Sequence, residues 1–155
     1  MSRNKKVIII AVVAVLVIAA AVYFQSKSRR SNIRSDKQAV ETVKTNVDFA
    51  KLPSKFPEDI PMENGAKITQ NYNATTPDGK FQATRTFQTT QSLDANLALY
   101  TQFMQQNGWV VSTTVNEPAT KMVYGEKYGK ALTVAISENK LSQIKTVSIT
   151  YNELE

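Results

Sequence analysis

The sequence predicts an α+β protein: an N-terminal transmembrane helix, then an antiparallel β-meander with one amphipathic helix packed on one face, in the order β-β-α-β-β-β-β. Three observations carry this. Residues 7–24 are eighteen consecutive residues without charge, Gly or Pro. Six short segments after residue 66 alternate apolar and polar side chains, the period of a half-buried strand. One segment, 93–107, repeats apolar residues at helical spacing.

The apolar run, as a helix rising 1.5 Å per residue, covers about 27 Å, close to a bilayer's hydrocarbon core of about 30 Å. Arg3, Lys5 and Lys6 stop it at one end, and Lys27, Arg29 and Arg30 at the other. Tyr23 and Phe24 sit where interfacial aromatics belong. Ala19-Ala20-Ala21 offers a signal-peptidase match. However, Val22-Tyr23-Phe24 prolongs the run past it, which favours an uncleaved anchor. Five basic residues follow the run and three precede it, a count that leans toward a cytoplasmic domain. Lys5 and Lys6 directly before the run form the head of an export signal, so the reading adopted is a cell-membrane protein, single-pass, with its domain extracytoplasmic.

Five segments follow from this: a basic flank over 1–6, the transmembrane helix over 7–24, a basic juxtamembrane linker over 25–52, a Pro-rich extended connector over 53–65, and the α+β domain over 66–155. Within the linker, Ser35 can cap a helix over 36–50 that places Val40, Val43 and Val47 on one face, a stalk. Pro53, Pro57 and Pro61 then hold the chain extended. Phe56 and Ile60 are expected to pin this connector to the domain surface.

Residues 67–75 put Ile68, Gln70, Tyr72 and Ala74 on one face, and 80–89 does the same with Phe81, Ala83, Arg85 and Phe87. Pro77-Asp78-Gly79 between them makes a hairpin turn. Ser92 caps the helix over 93–107, whose stripe is Leu93, Leu97, Tyr100 and Met104, with Gly108 as its left-handed terminus. Strands over 109–115, 121–127, 131–137 and 146–151 follow. The first is expected to align Trp109, Val111 and Val115, and the second to set Met122 and Tyr124 against Val123. One sheet face with the helix stripe makes the core, leaving the other face solvated.

The net charge of +6 is a property of the membrane flanks. Eight of the 19 Lys and Arg lie in residues 1–37 with one acid, Asp36, leaving eleven bases against twelve acids in 38–155. A nearly neutral domain has no field to gather phosphates, which argues against nucleic acid as a partner. Without Cys or His there is no thiolate nucleophile, Cys/His zinc site or Ser-His-Asp triad, and no cofactor is expected.

The remaining motifs are weak. Ser137–Lys140 and Ser142–Lys145 both match S-x-x-K, but on a hairpin and without companion elements. Asn73-Ala74-Thr75 fits a glycosylation sequon by composition, and the Gly125 and Gly129 pair brackets a turn. The pilin-type Gly and Glu are missing from the apolar run. Glu58 and Asp59, with Glu63 nearby, are the densest carboxylates. As neighbours in an extended chain Glu58 and Asp59 point opposite ways and cannot form a glycosidase pair by themselves, so they read as solvated turn acids, with a calcium or partner contact as the alternative. Trp109, at the handover from helix to sheet, is either a core anchor or a stacking aromatic. Glu58, Asp59 and Trp109 are the candidate contact residues.

Phe56-Pro57-Glu58-Asp59-Ile60-Pro61, then Asn64-Gly65-Ala66, then Tyr100, Met104 and Gly108-Trp109 form a recurring layout. It resembles small domains of uncharacterised bacterial membrane-anchored proteins and lipoproteins, over roughly residues 53–152. The resemblance implies an envelope location and an α+β fold, and carries no catalytic residues. Unlike the lipoprotein versions, this chain has no cysteine to carry lipid. The functional expectation is a non-catalytic interaction module of the envelope, binding a protein or glycan. The alternatives are a cytoplasm-facing membrane regulator and a carboxylate-dependent glycan-active enzyme.

Overall fold

Seven antiparallel strands join edge to edge in the order β1-β2-β3-β7-β6-β5-β4 in a computed structural model that describes residues 42–154. The elements are β1 (Val43–Asn46), β2 (Ile68–Thr75), β3 (Phe81–Thr89), α1 (Leu93–Gln106), β4 (Val110–Glu117), β5 (Thr120–Lys127), β6 (Lys130–Glu138) and β7 (Lys145–Glu153). The predicted basic flank, apolar segment and most of the linker lie outside the described residues. Among the described residues no helix is long and apolar enough to cross a membrane.

The expected fold needs correction in two respects. First, the order is β-β-β-α-β-β-β-β: where the described residues overlap the predicted stalk helix, Val43–Asn46 is a strand paired with Tyr72–Thr75. Val43 and Thr45 are β-branched, and pairing with an open sheet edge outweighs a weak helical periodicity. Lys44 reinforces it by setting its ammonium 3.7 Å from the Tyr72 ring centre. Second, the sheet is not a meander, because β7 inserts between β3 and β6. The short loops hide this, since the helix is itself a connection. Fourteen helical residues reach about 21 Å, matching the roughly 19 Å of four strand spacings from β3 to β4. The chain therefore crosses to the far edge and returns by hairpins, and β7 fills the gap.

α1 is built as its sequence suggests. The Ser92 hydroxyl accepts from Ala95 N–H at 3.1 Å. At the other end Trp109 N–H donates to Met104 O at 2.9 Å across Gly108, which sits at φ +73°. Leu93, Tyr100 and Met104 are buried, and the helix packs on β4, β5 and β6. Beneath it and toward β3 lie Val123, Leu132, Val134, Ile136, Val147, Ile149 and Phe87, the centre of the core.

A helix about 10 Å wide covers less than half of a seven-strand sheet about 29 Å across. The rest of the same face is covered by residues 47–66. Phe56 and Ile60 are both buried in the core, with Leu52 packed against it. The expected surface pin is a second roof.

Two bulges alter the predicted faces. One between Ile68 and Gln70 splits the β2 alternation, so that Ile68 pairs with Phe87 while Asn71 and Asn73 take the core-facing register beyond it. The other, between Val111 and Thr113, sets Val111 opposite Gly125 but Val115 opposite Met122, on the other face. That face carries hydroxyl pairs, Thr84 with Thr150 at 3.2 Å and Thr86 with Ser148 at 3.0 Å. It is only partly solvated, because Thr84, Met122 and Tyr124 are buried there.

Candidate functional site

The connector enters the core face through a turn at residues 48–51. The Asp48 carboxylate starts it by accepting from Ala50 N–H at 2.8 Å, and Lys51 N–H donates to Asp48 O at 3.0 Å. The turn points its carbonyls at the sheet, where cross-strand partners Asn71 and Arg85 stand side by side. The Asn71 amide donates to Asp48 O at 2.7 Å and Lys51 O at 2.9 Å. Arg85 Nη1 donates to Lys51 O at 2.7 Å and Asn71 Oδ1 at 3.1 Å, and Nη2 to Phe49 O at 2.9 Å.

Arg85 is only 6 % exposed. Among the described residues no carboxylate pairs with it. Its charge is met by carbonyl dipoles, an arrangement resembling a cation held in a carbonyl nest, and its Nε–H is buried without a partner. Desolvation lowers the guanidinium pKa from its usual value. The consequence is a turn clamped by four hydrogen bonds at three backbone carbonyls.

At the tip of that turn Phe49 is 53 % exposed. It borders a groove of about 530 Å³ that also takes in Met62, Ala66, Ile68 and Arg85. Met62 is likewise exposed. The opposite wall is the turn at residues 63–66, whose far side borders a second groove of about 510 Å³ with Lys67, Thr90, Ile144 and Lys145.

Glu63 fastens this wall to the β3–α1 junction. Its carboxylate accepts from Thr89 Oγ1 at 2.5 Å, from Thr90 N–H at 3.1 Å and from the Thr90 hydroxyl. These bonds, the Thr89 hydroxyl first, hold its pKa below the usual carboxylate value. Next to it Tyr100 donates to Pro61 O at 2.9 Å. Burial, with the Glu63 charge second, raises the Tyr100 pKa well above the ordinary tyrosine value.

The sequence-predicted contact residues are not brought together at this site. Trp109 is partly buried against the core at the foot of α1. It is seated over Gly125, where an added Cβ would lie 3.2 Å from Trp109 Cβ and from Met104 Sδ. Gly125 is therefore a packing seat. Glu58 and Asp59 are exposed on the connector, and neither they nor Trp109 borders either groove.

Phe49, Asn71 and Arg85 escape sequence reasoning for different reasons. Arg85 does leave a signal, a charge in phase with Phe81, Ala83 and Phe87. Asn71 is hidden by the bulge, and Phe49 by the helix expected over it. No family model matches the chain, and neither a curated protein nor a solved structure matches it.

Proposed function

We propose that the chain is a non-catalytic recognition module of the cell envelope, held at the membrane by residues 7–24 with its domain outside the cytoplasm. Its partner is a protein segment that lays an apolar side chain beside Phe49 and Met62. One observation carries the reading: the half-exposed Phe49 stands on a turn immobilised by Arg85 and Asn71. An exposed aromatic with little freedom left to lose is an efficient binding anchor. The neighbouring groove is small, which suits a transient contact.

A photo-cross-linking residue at position 49 should give a discrete adduct in intact cells that Met62→Glu abolishes. The same probe at Tyr128, exposed in the β5–β6 turn, should give none. An adduct indifferent to Met62→Glu, or no adduct at position 49, rejects the reading. The five basic residues after the apolar run favour a second reading, a cytoplasm-facing regulator. A phosphatase fused after Glu155 and active in whole cells excludes that orientation; an inactive but stable fusion supports it.

A further inference from the structure

We infer that Asn64 is a spontaneous deamidation site, which adds a second carboxylate to the wall between the two grooves as the protein ages. The chain has three Asn–Gly or Asp–Gly pairs: Asn64–Gly65, Asp78–Gly79 and Asn107–Gly108. In such a pair the glycine backbone nitrogen can attack the side-chain Cγ. For asparagine, the new N–Cγ bond replaces the Cγ–Nδ2 bond, and ammonia leaves with the proton from the glycine amide. Water then opens the cyclic imide at either carbonyl, giving aspartate or isoaspartate.

The reaction needs a glycine N–H free of hydrogen bonds and a side chain free to swing. Two of the pairs are blocked. Gly79 N–H donates to Thr76 O at 2.9 Å, and Asp78 accepts from the Thr76 hydroxyl. Gly108 N–H donates to Gln105 O at 3.3 Å, and Asn107 Nδ2 donates to Phe103 O at 2.9 Å.

Asn64–Gly65 is open. Its turn closes through Ala66 N–H to Glu63 O at 3.1 Å, with Gly65 at φ +72° and Asn64 outside the positive-φ region. This is a type II arrangement, in which the central amide points away from the closing bond. Both residues are exposed, and nothing lies within 4 Å of the Cβ position at Gly65, so the peptide can rotate without collision. Among the described residues neither the Gly65 N–H nor the Asn64 side chain has a hydrogen-bond partner. Asn64 borders both grooves beside Glu63, so conversion changes the charge of the wall, and isoaspartate also lengthens its backbone by one methylene.

The test incubates the full chain in detergent micelles at mildly alkaline pH, followed by tryptic mapping. Peptide 56–67 contains Asn64 as its single asparagine. In the folded chain it should gain the amide-to-acid mass shift and isoaspartate at least about tenfold faster than Asn107, whose attack must first break two hydrogen bonds. In urea the two rates should converge. Asn64→Gln should abolish the gain in that peptide. Equal rates in the folded chain, no conversion of peptide 56–67, or a gain that survives Asn64→Gln each overturns the assignment.

Discussion

The two halves of the core-facing sheet surface are covered by different means. Over β4, β5 and β6 the cover is α1, which satisfies its own backbone and contributes apolar side chains such as Tyr100 and Met104. Over β2 and β3 the cover is an irregular segment, which cannot satisfy its own backbone. Its prolines remove donors, and the carbonyls of its first turn are met by side chains rising from the sheet, Asn71 and Arg85. A helix needs only a greasy floor, whereas an irregular roof needs polar groups placed under it. That is why the buried cation of this half, Arg85, is met by backbone carbonyls, whereas Lys121, buried in the helix half, is met by the side chains of Asp94 and Asn116.

The largest expected effect tests whether the two roofs are equal parts of one core. Met104→Ala and Phe56→Ala should each lower unfolding stability by about 2–5 kcal/mol in denaturant titration. A loss at Phe56 below about 1 kcal/mol would reduce the connector to a surface strap.

The charged contact in each half sharpens the contrast. Arg85→Leu leaves the Phe49 and Lys51 carbonyls short of donors where the turn faces the sheet. It should cost about 2–3 kcal/mol and speed hydrogen exchange across residues 47–52. Asp94→Ala breaks the 3.1 Å pair with Lys121 on the helix half, where Asp94 is largely exposed and the buried Lys121 keeps the Asn116 side chain as a second partner. It should cost no more than about 1 kcal/mol. Comparable losses would remove the distinction between a clamped roof and a self-sufficient one.

The smallest effect falls where the two halves meet, at Glu63 and Tyr100. The folded state depresses the Glu63 pKa, so its contribution is complete above the ordinary glutamate range. It disappears as pH falls through the lowered value. Tyr100 is raised, so its contribution is complete below the ordinary tyrosine range and fades as pH climbs past it. Glu63→Gln should flatten the acid limb of a stability–pH profile and leave most of the alkaline limb, which follows mainly from Tyr100 burial. An unchanged acid limb would show that Glu63 is a bystander.

Local chemistry was readable from residue order wherever neighbours in sequence decide the conformation. The α1 span, its Ser92 cap, its Gly108 terminus and the strands that followed it needed only spacing and capping rules. The β2–β3 hairpin was equally plain, because Pro77-Asp78-Gly79 has a turn mechanism of its own. Reading failed at β1, where a four-residue strand is stabilised by Tyr72 and its neighbours about thirty residues away. It failed again at the two bulges, since one extra residue inverts every later side chain without altering composition.

By itself, then, the order of amino acids determined a long apolar N-terminal run, a chemistry without imidazole or thiol, and most of the helix and strand inventory, because these depend on composition and short-range periodicity. Only the tertiary structure decided that β7 enters between β3 and β6, that residues 47–66 roof half the sheet, and that Arg85 and Asn71 clamp the turn bearing Phe49. Those features arise from pairings between distant residues. Their free energy comes from closing the sheet and satisfying an irregular backbone, and no local pattern encodes that.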